Sequence, residues 1–321
     1  MRSETLDTVE LGSTGMEITR VGFGAWAIGG GEWEFGWGPQ QDEESVATIQ
    51  HALDLGINWI DTAAAYGFGR SERVVGAALR GSATRPYVFT KCSLLDDGTG
   101  RVRHSLRRDS VLREAEASLE RLGVDSIDLY QIHWPDPDSD IEEGWAALAE
   151  LKEQRMVEHI GVSNFDVQQL RRIAAIAPVE TLQPPYSLVD RDVDEEILPY
   201  AEESEIGVIV YSPMGSGLLT GAMTRDRAAQ LPGNDWRSRD RRFTEPELSR
   251  HLETAQRLRM VADRYGVAPG AVAVAWTLAN PAVDGAITGF RRPDQIDPII
   301  AAASLRLTAQ DLADIDQGRS S

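Results

Sequence analysis

Eight short apolar runs, separated by amphipathic stretches, constrain this chain more than any other feature. They are RVGFG (20–24), INWID (57–61), YVFTK (87–91), IDLYQIH (127–133), HIGVS (159–163), ETLQ (180–183), GVIVYS (207–212) and GAIT (285–288). Runs of this length, apolar on both faces and rich in β-branched residues, read as fully buried parallel strands. The stretches between them have helical periodicity. Asp42 is the expected N-cap of the first, with Glu43 and Glu44 in the first turn, Val46, Ile49 and Leu53 on one face, and Gly56 as the stop. Val111, Leu112, Ala115, Leu119 and Leu122 form a second stripe that ends at Gly123; Ile141, Trp145, Leu148 and Leu151 form a third, and Val167, Leu170 and Ile173 a fourth. Alternation of this kind means βαβ units, and eight of them predict a closed (β/α)8 TIM barrel, an α/β fold occupying 1–321 as a single domain, because closure removes the edges of an open sheet.

Two segments fall outside the repeat. VELGSTGMEIT (9–19) reads as an N-terminal β-hairpin around Ser13, Thr14 and Gly15, placed as a plug on the barrel floor. The long loop between strands 7 and 8, Gly215 to Phe243, is charged and rich in Gly and Arg; it is either a surface insertion or a lid.

Charge narrows the partners. Asp and Glu outnumber Lys and Arg 51 to 32, a net charge of −19, which repels nucleic acid and anionic lipid. A phosphorylated ligand then requires a local positive cluster. The opening residues have no apolar signal region and no run is long enough to span a bilayer, so a cytoplasmic protein is expected. The one cysteine, Cys92, cannot form an internal disulfide and is expected as a packed small hydrophobe.

In a parallel barrel the C-terminal strand ends face a common mouth. Asp61, Lys91 and His133 end strands two, three and four, and Tyr66 follows Asp61 by five residues. A phenol is a weak acid, with a reference pKa of about 10. A neighbouring Lys91 ammonium, kept charged by Asp61, would lower that value. His133 can donate to a carbonyl oxygen while Tyr66 delivers a proton, which is the logic of carbonyl reduction. Singly, each residue has a plainer reading: Asp61 as a cap, Lys91 as a solvated strand end, Tyr66 as packing over a turn, His133 as a loop tie. Their convergence favours the chemical reading.

Other motifs are weaker. Gly22-Phe23-Gly24-Ala25-Trp26-Ala27 fits G-x-G-x-x-A, but a tryptophan-rich glycine loop follows where a dinucleotide-binding turn must open into a helix. The five histidines have no metal-site spacing, and Gly215-Ser216-Gly217 is too short for a hydrolase elbow. Trp26, Trp33, Phe35, Trp37 and Trp134 are expected near the mouth, as an apolar substrate pocket or as a rim seal.

DTAAAYGFGRSE, the Lys91 strand end, LYQIHWPDP, GVSNF, LQPPYSL, YSPMGSGLLTG and GFRRPDQI, in this order, resemble the aldo-keto reductases over about Val21 to Ile296. The wording is most similar to the bacterial general-stress reductases related to the inositol-cluster reductase. The resemblance implies a (β/α)8 barrel with NADP(H) across its mouth and a catalytic tetrad, here Tyr66, Lys91, Asp61 and His133. By the same resemblance, Ser163, Asn164 and Gln183 would address the nicotinamide carboxamide, and Tyr211 would stack on its ring. Ser212, Pro213, Met214, Gly215, Ser216 and Gly217 would wrap the pyrophosphate, and Ala25 and Trp26 would line the ribose side. Gly289, Phe290, Arg291 and Gln295 would hold the adenosine end, with Arg291 and Arg292 as the positive cluster for a 2′-phosphate. Asp297-Pro298-Ile299 departs from the family's adenine-binding pair. The implied activity is NADP-dependent reduction of a small carbonyl, aldehyde or ketone, with a cofactor-sensing regulatory subunit of the same fold, or reversible alcohol dehydrogenation, as the other readings.

Overall fold

The computed structural model describes residues 6–82 and 84–317. Eight parallel strands form a closed barrel in chain order: β1 (Val21–Gly24), β2 (Trp59–Asp61), β3 (Tyr87–Cys92), β4 (Ile127–Ile132), β5 (Val157–Ser163), β6 (Thr181–Gln183), β7 (Gly207–Tyr211) and β8 (Gly285–Gly289). The ring closes where β8 pairs with β1, Ala286 opposite Val21 and Gly289 opposite Gly24. Helices Asp42–Asp54, Arg70–Arg80, Arg108–Leu122, Ile141–Glu153, Val167–Ala174 and Ile197–Glu203 each follow a strand and pack their apolar stripes on the barrel. The first begins one residue earlier than expected, with Gln41 at the cap and Asp42 inside the first turn, where its carboxylate accepts from Arg70 Nε at 2.9 Å. Gly123 ends the third helix in the left-handed conformation, as a helix stop requires.

The floor is sealed by the N-terminal hairpin, Thr8–Glu10 paired antiparallel with Glu17–Thr19. Leu11, Met16 and Ile18 join Trp59, Phe89, Leu129, Ile209 and Ile287, contributed by five strands, in one buried apolar cluster. The glycines of GFG have a packing reason. A Cβ on Gly22 would lie 2.1 Å from the Trp59 indole, whose Nε1 is tied to Thr19 O at 2.7 Å and cannot easily move. Gly22→Ala is expected to overpack the floor and cost ~1–3 kcal/mol. Urea denaturation reads this directly; an unchanged midpoint would mean that the indole relocates freely.

Two loops shape the mouth. An outer hairpin, Leu94–Asp96 with Val102–His104, follows β3 around an Asp96-Asp97-Gly98-Thr99-Gly100 turn and was not apparent from periodicity. The 215–243 segment is not a free insertion. It arches over the mouth to the loop after β1, where Asp235 bridges Trp37, Trp236 N donates to Gly36 O (3.1 Å), and Arg239 donates to Glu34 O (2.8 Å). Trp236 stacks on Trp26 with ring centroids 5.3 Å apart and 16° between planes. The segment is thus a roof. Among the described residues, no helix is long and apolar enough to cross a membrane.

Candidate active site

The strand ends bring the four expected groups together. Lys91, on β3, has its side chain completely buried and donates from Nζ to Asp61 Oδ1 on β2 at 2.6 Å and to Thr62 O at 2.9 Å. The other Asp61 oxygen accepts from Gln183 Nε2, across the barrel on β6, at 2.9 Å. The ammonium lies 5.3 Å from the centre of the Tyr66 ring. Tyr66 meets His133 edge-on, with centroids 5.6 Å apart. His133 follows β4, its N–H bonded to Cys92 O and its carbonyl accepting from Asn164 Nδ2 at 2.9 Å. Its Nδ1 is buried with no partner among the described residues.

The electrostatics of the cluster follow from burial. It pushes the Asp61 carboxyl up and the Lys91 ammonium down, and each is opposed chiefly by the other's charge. His133 is held well below the usual imidazole range by burial, then by Lys91 and His104, so it is neutral at physiological pH. Tyr66 requires a correction. The ammonium does not bring the phenol down: burial raises it well above its usual value, and the Asp61 carboxylate and Tyr211 add to the rise. The reason is that Lys91 and Asp61, in contact, present little net charge to Tyr66, leaving desolvation to dominate. Tyr66 is accordingly a protonated hydroxyl at neutral pH.

These groups lie at or beneath the base of a cleft of about 1220 Å³ that runs from Trp33 and Trp134 past Tyr66 to Gln295 and Ile299. A model of the Aldo/keto reductase family matches residues 20–319. The chain belongs to that family. It is 39% identical over 314 residues to the aldo-keto reductase YhdN of Bacillus subtilis, covering 97% of this chain and 93% of that one. It is 33% identical to the NADH-specific methylglyoxal reductase of Escherichia coli, over 94% of this chain and 95% of the relative. Among solved structures, the glycerol dehydrogenase AKR11B4 from Gluconobacter oxydans superposes with a TM-score of 0.87 at 37% identity, covering 98% of this chain and 95% of that one.

The nicotinamide cofactor that aldo-keto reductases use can be tested against the cleft. Ser163, Asn164, Gln183 and Tyr211 line it together. Ser163 Oγ donates to Gln183 O at 2.7 Å, and Asn164 Oδ1 accepts from the Tyr211 hydroxyl at 2.8 Å, so the amide and the ring are held as one unit. Beyond them Ser212, Gly215, Ser216 and Gly217 all have positive φ. Left-handed serines cost about 1–2 kcal/mol each and recur where backbone amides wrap an anion. Ser212, Pro213, Met214, Ser216 and Gly217 border the cleft, as do Gly289, Phe290, Arg291 and Gln295. The donor set and the curled backbone fit a dinucleotide.

Three expected contacts differ. Ala25 is fully buried behind the lining and gives its N–H to Asp61 O; Gly24 and Trp26 border the cleft in its place. Gly215 likewise lies behind the lining, turned by its positive φ against Val189. Arg291 is not a free cation: its guanidinium donates to Gln40 Oε1 (2.8 Å), Trp37 O (3.0 Å) and Pro39 O, pinning the 37–40 loop. Gln295 Oε1 caps this turn by accepting from Arg291 N and Arg292 N. Arg292 is exposed and, among the described residues, ion-paired only with Asp294, so it is the more accessible charge of the two. Pro298 and Ile299 give the far end an apolar edge.

Of the aromatic set, Trp26, Trp33, Trp37, Phe35 and Trp134 all line the cleft, and Trp33 also packs on Tyr66 at 6.1 Å. Sequence reasoning missed Trp236 and Arg237 of the roof. Arg237 sits 4.4 Å over the Trp37 ring, pairs with the buried Asp235 at 2.6 Å, and donates to Ser216 O. The DWR triplet carried that signal, but only the fold shows which loop it meets.

Proposed function

We propose that this protein is an NADP(H)-dependent reductase that converts aldehydes, and some ketones, to alcohols. The observation that carries the reading is a protonated, nearly buried Tyr66 set between an ion-paired ammonium and a neutral imidazole at the base of a long cleft. When bound, the nicotinamide ring would supply a hydride from C4. This chain's residues do the remainder. Tyr66 delivers the proton to the carbonyl oxygen as general acid. His133, neutral, offers its ring N–H to the same oxygen and orients it. Lys91, locked by Asp61, holds the floor under the Tyr66 ring. Ser163, Asn164 and Gln183 hold the carboxamide, and Tyr211 stacks on the ring.

Preference for the 2′-phosphate rests on Arg292, with Arg237 and Arg291 contributing to the local positive field. NADH as the working cofactor is a second reading, favoured by the commitment of Arg291 to loop carbonyls. One of the relatives is called NADH-specific. Titration of Trp fluorescence with each cofactor separates the two, since Trp26, Trp37 and Trp236 line the cleft. NADPH is expected to bind more tightly than NADH, and Arg292→Ala to weaken NADPH binding by about tenfold or more, the worth of a charge-assisted hydrogen bond, with NADH unaffected. Equal binding would overturn the NADP preference, and binding of neither would overturn the reductase reading.

A further inference from the structure

Building on the reductase reading, we propose that Gln131 is a positioning residue for cofactor recognition. With Asp61 it holds both amide hydrogens of Gln183, so that only the carbonyl oxygen of that amide is offered to the cleft, and the site selects a nicotinamide whose carboxamide donates from its NH2 group. Gln131 lies on β4, opposite Lys91 on β3 and Gly161 on β5, and is fully buried. It stands behind the cleft lining, so it acts on a ligand only through another residue. A primary amide in that position is costly to desolvate, and an apolar side chain of the same volume would avoid the cost.

What the amide does there is visible in its partners. Gln183 Nε2 donates to Asp61 Oδ2 at 2.9 Å and to Gln131 Oε1 at 3.3 Å. Two anchors fix the plane of the Gln183 amide, whereas with Asp61 alone it can turn about that one bond. Its sense is fixed as well, because exchanging oxygen and nitrogen would set a carbonyl against the Asp61 carboxylate, acceptor against acceptor. The Gln131 Nε2 closes no hydrogen bond among the described residues, yet the amide favours the charged form of Asp61, which puts it beside the same carboxylate. The neighbouring groups are already committed. Asn164 gives Nδ2 to His133 O and to Ser163 Oγ, and its Oδ1 accepts from the Tyr211 hydroxyl. Ser163 gives its hydroxyl proton to Gln183 O. Gln183 Oε1 is thus left without a partner among the described residues, on a side chain that lines the cleft.

The test is a Trp-fluorescence titration with two ligands: whichever of NADP+ and NAD+ binds more tightly, and its 3-acetylpyridine analogue, in which a methyl group replaces the carboxamide NH2. The readout is the ratio of the two Kd values, analogue over natural cofactor, in which a general loss of packing cancels. The wild-type ratio is expected to be about fivefold or more, the worth of one hydrogen bond. In Gln131→Met, which keeps the volume and removes the acceptor, it is expected to fall toward one through weaker binding of the natural cofactor, with the analogue little changed. Gln131→Glu, which keeps an acceptor at the same reach, is expected to recover part of it, and no recovery would assign the loss to packing and overturn the proposal. A wild-type ratio near one, or an unchanged ratio in Gln131→Met, also overturns it. If the methionine variant fails to fold, Gln131→Asn, too short by one methylene to reach Gln183, is read the same way: a lowered ratio supports the proposal and an unchanged one overturns it. A wild-type protein that binds neither dinucleotide is a distinct outcome, refuting the reductase reading beneath it.

Discussion

Tyr66→Phe is expected to lower kcat for aldehyde reduction by about 10²–10⁴-fold, the usual worth of a positioned general acid, while leaving the fold and cofactor binding intact. The structure makes this a clean substitution. Among the described residues no protein group hydrogen bonds the Tyr66 hydroxyl, so its removal leaves no partner stranded, and the ring contacts with Trp26, Trp33 and His133 persist. The pH dependence has a definite sign. The acid must be protonated, and burial holds its pKa above the usual phenol value, so loss of the Tyr66 proton does not limit reduction over about pH 6 to 9. Alcohol oxidation needs the phenolate and is expected to climb toward alkaline pH. Undiminished single-turnover reduction in the phenylalanine variant, measured with saturating cofactor, would remove Tyr66 from the chemistry.

The barrel was legible because each buried strand is forced to be apolar, which makes YVFTK and IDLYQIH visible without neighbours. It is the exceptions within those runs that exposed the site. Lys91 and Asp61 are costly where they sit, and a polar group kept at the end of an otherwise apolar strand points to chemistry at the mouth. What the sequence hid depended on pairing across the fold. The roof is defined by Trp236 on Trp26 and Asp235 on Trp37, contacts between segments about 200 residues apart, and nothing local distinguishes it from an insertion. Arg291 looked like a phosphate ligand because its charge is local, whereas its acceptors lie on residues 37–40. Tyr66 is the subtler case. The sequence expected the Lys91 charge to lower the Tyr66 pKa, but its near-cancellation by Asp61 at 2.6 Å, and the burial that then raises the phenol, are properties of distance and depth.

Lys91→Met is expected to cost about 3–5 kcal/mol of stability, a large share of what a domain has, besides abolishing the ordered floor under Tyr66. The loss comes less from the missing contact than from what it leaves behind. Asp61 is buried, and without the ammonium its carboxylate keeps only the Gln183 amide as a side-chain donor with a firm bond. Burial already raises the Asp61 pKa with Lys91 present, so removing the largest opposing charge raises it further. Between the unfolded carboxyl pKa of about 4 and that elevated value, the folded state holds a proton that the unfolded state has released, and stability therefore falls as pH rises. The deficit of the variant should thus shrink as pH is lowered from 7.5 toward about 5, the reverse of ordinary acid destabilisation. Adding Asp61→Leu should restore part of the stability at neutral pH, since an apolar pair avoids the stranded charge, while activity stays lost. Denaturant midpoints at two pH values decide it: a deficit that is flat, or that widens on acidification, would mean that Asp61 is not the group left uncompensated.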